Sequence, residues 1–288
     1  MDEISQASIS QAMRRVRTKM KPELVSTYLE TTLWRFEETF RVIPRSTGDS
    51  LLVDIGCYGP VLGPLHDLLG YKRIGAVALY DWGPFDLSTL PEWAREQGIE
   101  LAPWIGDVER QALPWSTASV DVILMLEILE HFTIDPMHAL WEANRILKTG
   151  GTLVLSTPNA ASTAALVRLL RGRNPIPEPY NGEDGNRHNR LYDGGEIHRL
   201  LVAAGFGDIR CISIGPTTRK KRLLRSVARG LATILDSDQQ PAGDPDLPGD
   251  ILLATCRKVG APTTRYPGFL YMDRLLFDDW YAHMRKDG

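Results

Sequence analysis

Two hydrophobic patterns take turns along this chain: apolar residues spaced three and four apart, and short runs that are apolar throughout. Over 21–41, Leu24, Val25, Tyr28, Leu29, Leu33, Phe36 and Phe40 fall on one face of a helix entered at Pro22, whose fixed φ suits a first helical position. The residues before it predict a polar helical lead-in. After the turn-rich stretch 44–50, Leu51-Leu52-Val53-Asp54-Ile55 is an apolar run that stops at Gly56 and gives way to helical spacing over 61–69. That predicts strand, glycine turn and helix. The alternation continues with strands at 73–80, 99–103, 120–126 and 151–156 and helices at 88–97 and 135–147. Strands separated by helices of this length predict a parallel sheet covered on both faces.

Further on, helical spacing over 162–170 and 194–204 brackets the stretch 172–190, rich in Pro, Gly, Asn and charge. A loop that long inside a compact domain is generally functional or mobile. Strands at 207–214 and 251–258 close the pattern, separated by a basic segment and a loop over 236–250. The expected organisation is a helical lead-in over 1–45, one α/β domain over 46–260 with an insert at 172–190 and a basic segment at 217–250, and a C-terminal extension over 261–288 that opens with aromatic residues. No internal repeat is visible.

Composition changes this picture little. A hydrophobic fraction of 43% and a charged fraction of 24% over 288 residues are ordinary for a globular protein. A net charge of -3 gives no overall sign of a nucleic-acid partner. The N-terminus lacks a basic region followed by an apolar run, and no segment stays apolar for the ~20 residues that span a bilayer. The expectation is a cytoplasmic protein. Cys57, Cys211 and Cys256 include no Cys-x-x-Cys pair and read as reduced core thiols.

The candidate chemistry begins at Gly56-Cys57-Tyr58-Gly59, where a glycine ending a strand lets the backbone approach a ligand and the next helix presents free N–H groups. Ligands of open α/β sheets sit outside the carboxyl ends of the strands, so acids at neighbouring strand ends matter. Asp81 ends the second strand and Asp107 follows the third. The first can accept from ribose hydroxyls and the second from the exocyclic amine of adenine, so together they suit an adenosine.

Four strings carry a resemblance: Val53-Asp54-Ile55-Gly56-Cys57, Gly106-Asp107-Val108-Glu109, the run from Val120 through Leu126-Glu127-Ile128-Leu129-Glu130-His131, and Leu147-Lys148-Thr149-Gly150-Gly151-Thr152-Leu153. The chain resembles the class I S-adenosylmethionine-dependent methyltransferases, well over 51–158 and more loosely over 192–258. That resemblance implies a Rossmann-like, seven-stranded mixed sheet with its last strand antiparallel, sandwiched by helices, and S-adenosylmethionine as methyl donor. Carried across, Asp54, Gly56, Cys57 and Gly59 line the methionine end, Asp81 the ribose, Asp107 and Val108 the adenine, and Leu126 and Glu127 the edge beside the sulfonium. The family's later glycines are replaced here by Tyr58 and Pro60, so the loop must differ.

Methyl transfer from a sulfonium is an in-line displacement that alignment and water exclusion can largely carry, while a hydroxyl nucleophile still benefits from a base. His131 is the nearest candidate. Glu127, Glu130 and His131 have i, i+3, i+4 spacing, so a helix starting here would gather them on one side of its first turn. They read either as helix-capping charges, with Glu127 on the cofactor, or as a metal site. The string resembles ubiquinone-pathway and small-RNA 2′-O-methyltransferases, in which it holds a divalent ion with a later histidine; His188 stands where that histidine would fall. The candidate ligands are then Glu127, Glu130, His131 and His188, although a metal is not the favoured reading. In contrast, His188-x-Arg190-x-Tyr192 is similar to methyltransferases of glycan pathways, which implies a sugar hydroxyl as acceptor. The candidate catalytic residues are His131, Glu127 and His188, and the expected partner is a small-molecule or glycan acceptor; the alternatives are a metal-assisted RNA 2′-O-methyltransferase and, because of the altered glycine loop, a non-catalytic protein that uses the cofactor fold for binding.

Over 219–234 the basic residues Arg219, Lys220, Lys221, Arg222, Arg225 and Arg229 interleave with Leu223, Leu224, Val227, Leu231 and Ile234. This is a cationic amphipathic helix, which either packs its leucines on the sheet or rests on an anionic membrane. No aromatic residue interleaves, which speaks against single-stranded nucleic acid.

Overall fold

The computed structural model describes residues 4–16, 22–79, 90–176, 187–215, 223, 226–227, 247–264, 267–268 and 270, with backbone only for 22–28 and 30. Asp81 and most of the basic segment, the 172–190 insert and the C-terminal extension lie outside them.

The apolar runs become one sheet. In chain order its strands are β1 (Leu51–Ile55), β2 (Arg73–Ala78), β3 (Glu100–Ile105), β4 (Val120–Leu126), β5 (Leu147–Pro158), β6 (Phe206–Ile214) and β7 (Ile251–Lys258). They lie in the order β3-β2-β1-β4-β5-β7-β6. β1 through β5 run parallel to one another, while β7 pairs antiparallel with both β5 and β6. This is the expected Rossmann-like mixed sheet with its last strand antiparallel. β1 is buried along its whole length, as a strand covered on both faces must be.

The helices are α1 (Gln6–Arg15), α2 (Pro22–Val42), α3 (Leu62–Asp67), α4 (Leu90–Glu96), α5 (Pro136–Ile146), α6 (Thr163–Leu170) and α7 (Gly194–Ala203). Their starts are written in the sequence. Asp135 caps α5 by accepting from Met137 and His138 N–H, with Pro136 in the first turn. Ser162 caps α6, and Asp193 with Glu196 forms a capping box on α7. Two core clusters lie on the two faces of the sheet residues. One joins Ile9, Met13, Leu29, Phe36 and Phe40 to Leu52, Ile74 and Leu124; the other joins α5 and α7 to Val53, Ile123 and Leu153.

Two expectations change. The lead-in is not merely polar: Ile9, Ala12 and Met13 are buried, and α1 packs on α3 so closely that a Cβ on Gly63 would lie 2.2 Å from the Ala12 carbonyl oxygen. Three small or flexible apolar residues among serines and arginines suffice for that stripe. β5 also extends past the expected Ser156 to Thr157 and Pro158, because its last residues pair with Leu252 and Ile251 of β7. Thr157 thereby joins the site.

Candidate active site

Parallel register brings the carboxyl ends of the strands to one edge. Ile55 lies beside Val77 and Met125, Leu126 beside Ser156, and Ala78 beside Ile105. Among the described residues, those the sequence singled out at strand ends therefore follow that edge, as the rule for open sheets requires.

At the end of β1, Gly56 has φ of 81°, and a Cβ there would lie 2.1 Å from Ile128 Cγ2. The space over this glycine is filled by the Ile128 side chain, so the residue locks the β1 turn against the β4 turn. The Gly56 and Cys57 N–H groups both donate to Val77 O at 3.0 and 2.9 Å. Pro60 lies in the first turn of a short 3-10 helix, Gly59–Val61, where a proline fits because no N–H is needed. Asp54 is buried and takes a hydrogen bond from the Cys57 thiol; burial pushes its carboxyl up to about 7. Cys57 and Cys256 are buried thiols as expected, Cys211 is half-buried, and none of the three is in a disulfide.

After β3, Asp107 organises its own turn. Its Oδ1 accepts Glu109 N–H at 2.9 Å, its N–H donates to Gln111 Oε1 at 2.9 Å, and Arg110 lies 3.5 Å from Oδ2. The carboxylate is partly open. Leu79 and Ile105, following β2 and ending β3, are about half exposed. Val108 O accepts from His138 Nδ1 at 2.9 Å.

After β4 the chain departs from the expected helix. Glu127 takes a left-handed φ of 55° and is followed by a 3-10 turn, Leu129–His131. A non-glycine residue in that region costs about 1 kcal/mol or more. Its surroundings offset this: Glu127 N–H donates to Ser156 O, its Oε1 accepts from Ser156 Oγ at 2.8 Å, and its Oε2 meets Arg35 Nη1 of α2 at 2.9 Å. Burial raises the Glu127 carboxyl, while Arg35 and Ser156 pull it down. Glu127 is thus turned toward α2 and does not join Glu130 and His131 on a shared helical face.

Glu130 is 1% exposed, with Oε2 accepting from Thr157 Oγ1 at 3.0 Å. Burial, reinforced by the charge of Glu127, pushes it up to about 8, so at neutral pH it is largely a carboxylic acid. His131 Nε2 lies 3.8 Å from Glu130 Oε1. Its Nδ1 lies 3.0 Å from Arg187 O, and since a carbonyl only accepts, Nδ1 carries the proton and Nε2 the lone pair. Burial holds the imidazole below its ordinary pKa, against the Arg187 bond, so it is neutral at pH 7. The His188 ring packs edge-on to it at 5.0 Å, and burial and then His131 lower its pKa as well. Asn189 clamps this segment down, its N–H on Glu130 O and its Nδ2 on His131 O, both at 2.7 Å.

One ligand atom each from Glu130, His131 and His188 lies within 4.8 Å of the other two. Glu127 is outside that group. Of the sequence's candidates the fold gathers Glu130, His131 and His188 at one point, sets Glu127 beside them and Asp107 with Val108 along the edge, and seats Asp54, Cys57 and Gly59 under the β1 turn. Leu126, half-buried at the end of β4, leads into the Glu127 turn. Arg35, Ser156 and Thr157 were not foreseen. Arg35 pairs with a residue 92 positions away, and a single arginine on an amphipathic helix carries no sign of such a partner.

A profile of the family described as "Methyltransferase domain" matches residues 35–210, more than half of the chain. The chain belongs to the class I S-adenosylmethionine-dependent methyltransferases. The matched span begins at Arg35 and takes in the whole edge from the β1 turn to Asn189. A Mycobacterium tuberculosis protein named as a probable S-adenosylmethionine-dependent methyltransferase is 30% identical over 150 residues, 50% of this chain and 48% of that one. The ubiquinone biosynthesis O-methyltransferase of Cereibacter sphaeroides is 32% identical over 108 residues, 38% of this chain and 41% of its own length. The chain spans about half the length of the curated relatives it matches, or less. Among solved structures, the geranyl diphosphate C-methyltransferase of Streptomyces coelicolor A3(2) superposes with a TM-score of 0.51 at 16% identity, over 88% of this chain and 98% of that one, which shows a shared fold.

Proposed function

We propose that this protein transfers a methyl group from S-adenosylmethionine to a hydroxyl of a small-molecule or glycan acceptor, with His131 as general base. The observation that carries this is the neutral His131 imidazole, fixed by Arg187 O so that its Nε2 lone pair stands at the carboxyl edge of the sheet. When bound, the cofactor supplies an electrophilic methyl on a sulfonium. The residues present suit it: Asp107 with Val108 for the adenine between the apolar Leu79 and Ile105, and the opposed charges of Arg35 and Glu127 for the zwitterionic amino-acid end. Asp81 remains the proposed ribose acid. His131 takes the hydroxyl proton as the oxygen attacks; Arg187 O and the His188 ring hold its imidazole, Asn189 holds its backbone, and the buried Glu130 corner keeps water away. Likeness to ubiquinone O-methyltransferases supports an oxygen acceptor.

A second reading has one observation in its favour. Two imidazoles and a carboxylate converging within 4.8 Å suit a divalent transition metal, which would acidify a coordinated hydroxyl. An RNA 2′-hydroxyl belongs to that reading. Methyl-labelled S-adenosylmethionine incubated with catechols, sugars and other hydroxyl acceptors separates the two. Base catalysis predicts transfer indifferent to chelator and lowered roughly 100-fold or more in His131→Gln with S-adenosylhomocysteine affinity kept. Transfer abolished by chelator and restored by metal supports the second reading, and transfer confined to amine or carbon acceptors overturns both.

A further inference from the structure

Glu109 takes no part in the chemistry above, yet its carboxylate is unusually committed. Oε1 accepts Ile134 N–H at 2.6 Å and Asp135 N–H at 2.8 Å, and Oε2 accepts Thr133 N–H at 3.0 Å and approaches Thr133 Oγ1 at 3.4 Å. Three consecutive backbone donors converge on one side chain. They belong to the connector that follows His131 and ends at Asp135, the N-cap of α5. Glu109 itself is held by Asp107 Oδ1 through its own N–H, and the intervening Val108 O accepts from His138 of α5. The Asp107-Val108-Glu109 turn and the segment 133–138, which begins two residues after His131, are therefore one hydrogen-bonded unit made from two turns that are remote in sequence.

The geometry points to Glu109 as a positioning residue that couples the adenine seat at Asp107 and Val108 to the turn carrying His131. Charge-assisted bonds to backbone N–H groups are about twice as strong as neutral ones, so the connector follows the turn after β3 more firmly than it holds itself. A ligand that fixes Asp107 and Val108 removes freedom from Glu109, and through it from residues 133–135. The base is then set in place when the cofactor's adenine is seated. This rests on the cofactor assignment proposed above.

Hydrogen exchange on the full chain, read with and without S-adenosylhomocysteine, tests it without an acceptor. In wild type the ligand should slow exchange by tenfold or more both over 52–60, the cofactor turn, and over 128–135. In Glu109→Gln, whose amide keeps a single acceptor oxygen, the slowing over 52–60 should remain and that over 128–135 should vanish. Glu109→Asp, which keeps the charge on a shorter arm, should give an intermediate result and serves if the amide variant does not fold. A merely structural role would raise exchange over 128–135 in the variant but leave the ligand's effect intact, and that result overturns the coupling. So does a wild type protected over 52–60 alone. If neither segment responds in wild type, the cofactor assignment itself has failed.

Discussion

Asp54 shows how a single buried side chain sets the pH response of this site. Its carboxyl ordinarily titrates at 3.8 and is pushed by burial to about 7 in the fold. Between those values the folded chain keeps a proton that the unfolded chain has released, so stability falls as pH rises through this window and levels off above about 7. At about 1.4 kcal/mol per pH unit the loss is on the order of 4 kcal/mol. Glu130 adds a loss of the same sign toward about 8. Asp54→Asn removes only the first contribution: thermal melts at pH 5 and pH 8 should show Tm falling by roughly 5 °C or more further in wild type than in the variant. Equal falls would mean that Asp54 is ionised throughout. Gly56→Ala should cost more than the strain of its φ, roughly 2–4 kcal/mol in urea denaturation, because the new methyl meets Ile128.

The elements themselves were legible. The apolar runs became the parallel strands of the sheet, and the caps at Asp135, Ser162 and Asp193 start the helices within a residue or so of where the spacing placed them. What was not legible depends on contacts between distant segments. The i, i+3, i+4 spacing of Glu127, Glu130 and His131 suggested a helical turn, but Arg35 and Ser156 hold Glu127 in a left-handed conformation that local propensity disfavours. His188 was found by resemblance, while its packing on His131 required the Asn189 clamp that no local pattern reveals. α1 was taken as polar because its stripe is short. Its burial on α3 predicts that Met13→Ala lowers stability by about 2–4 kcal/mol in urea, whereas a loss under about 0.5 kcal/mol would show that α1 is not docked.

At the scale of the whole molecule, one sheet edge brings together described groups as far apart in the chain as Arg35 and Asn189. Among the described residues no helix is long and apolar enough to cross a membrane. The membrane-facing alternative for 219–234 falls on residues outside those described, apart from the exposed Leu223, Ser226 and Val227. The fold places Asp107 after β3, and the His131 imidazole beside the buried Glu130 after β4.

Isothermal titration of S-adenosylhomocysteine into the full chain, with Asp107→Ala alongside, tests this most directly. Micromolar binding by wild type that weakens at least tenfold in the variant is the predicted result. Absence of binding by wild type, in a chain that melts cooperatively, would contradict the methyltransferase account despite the fold.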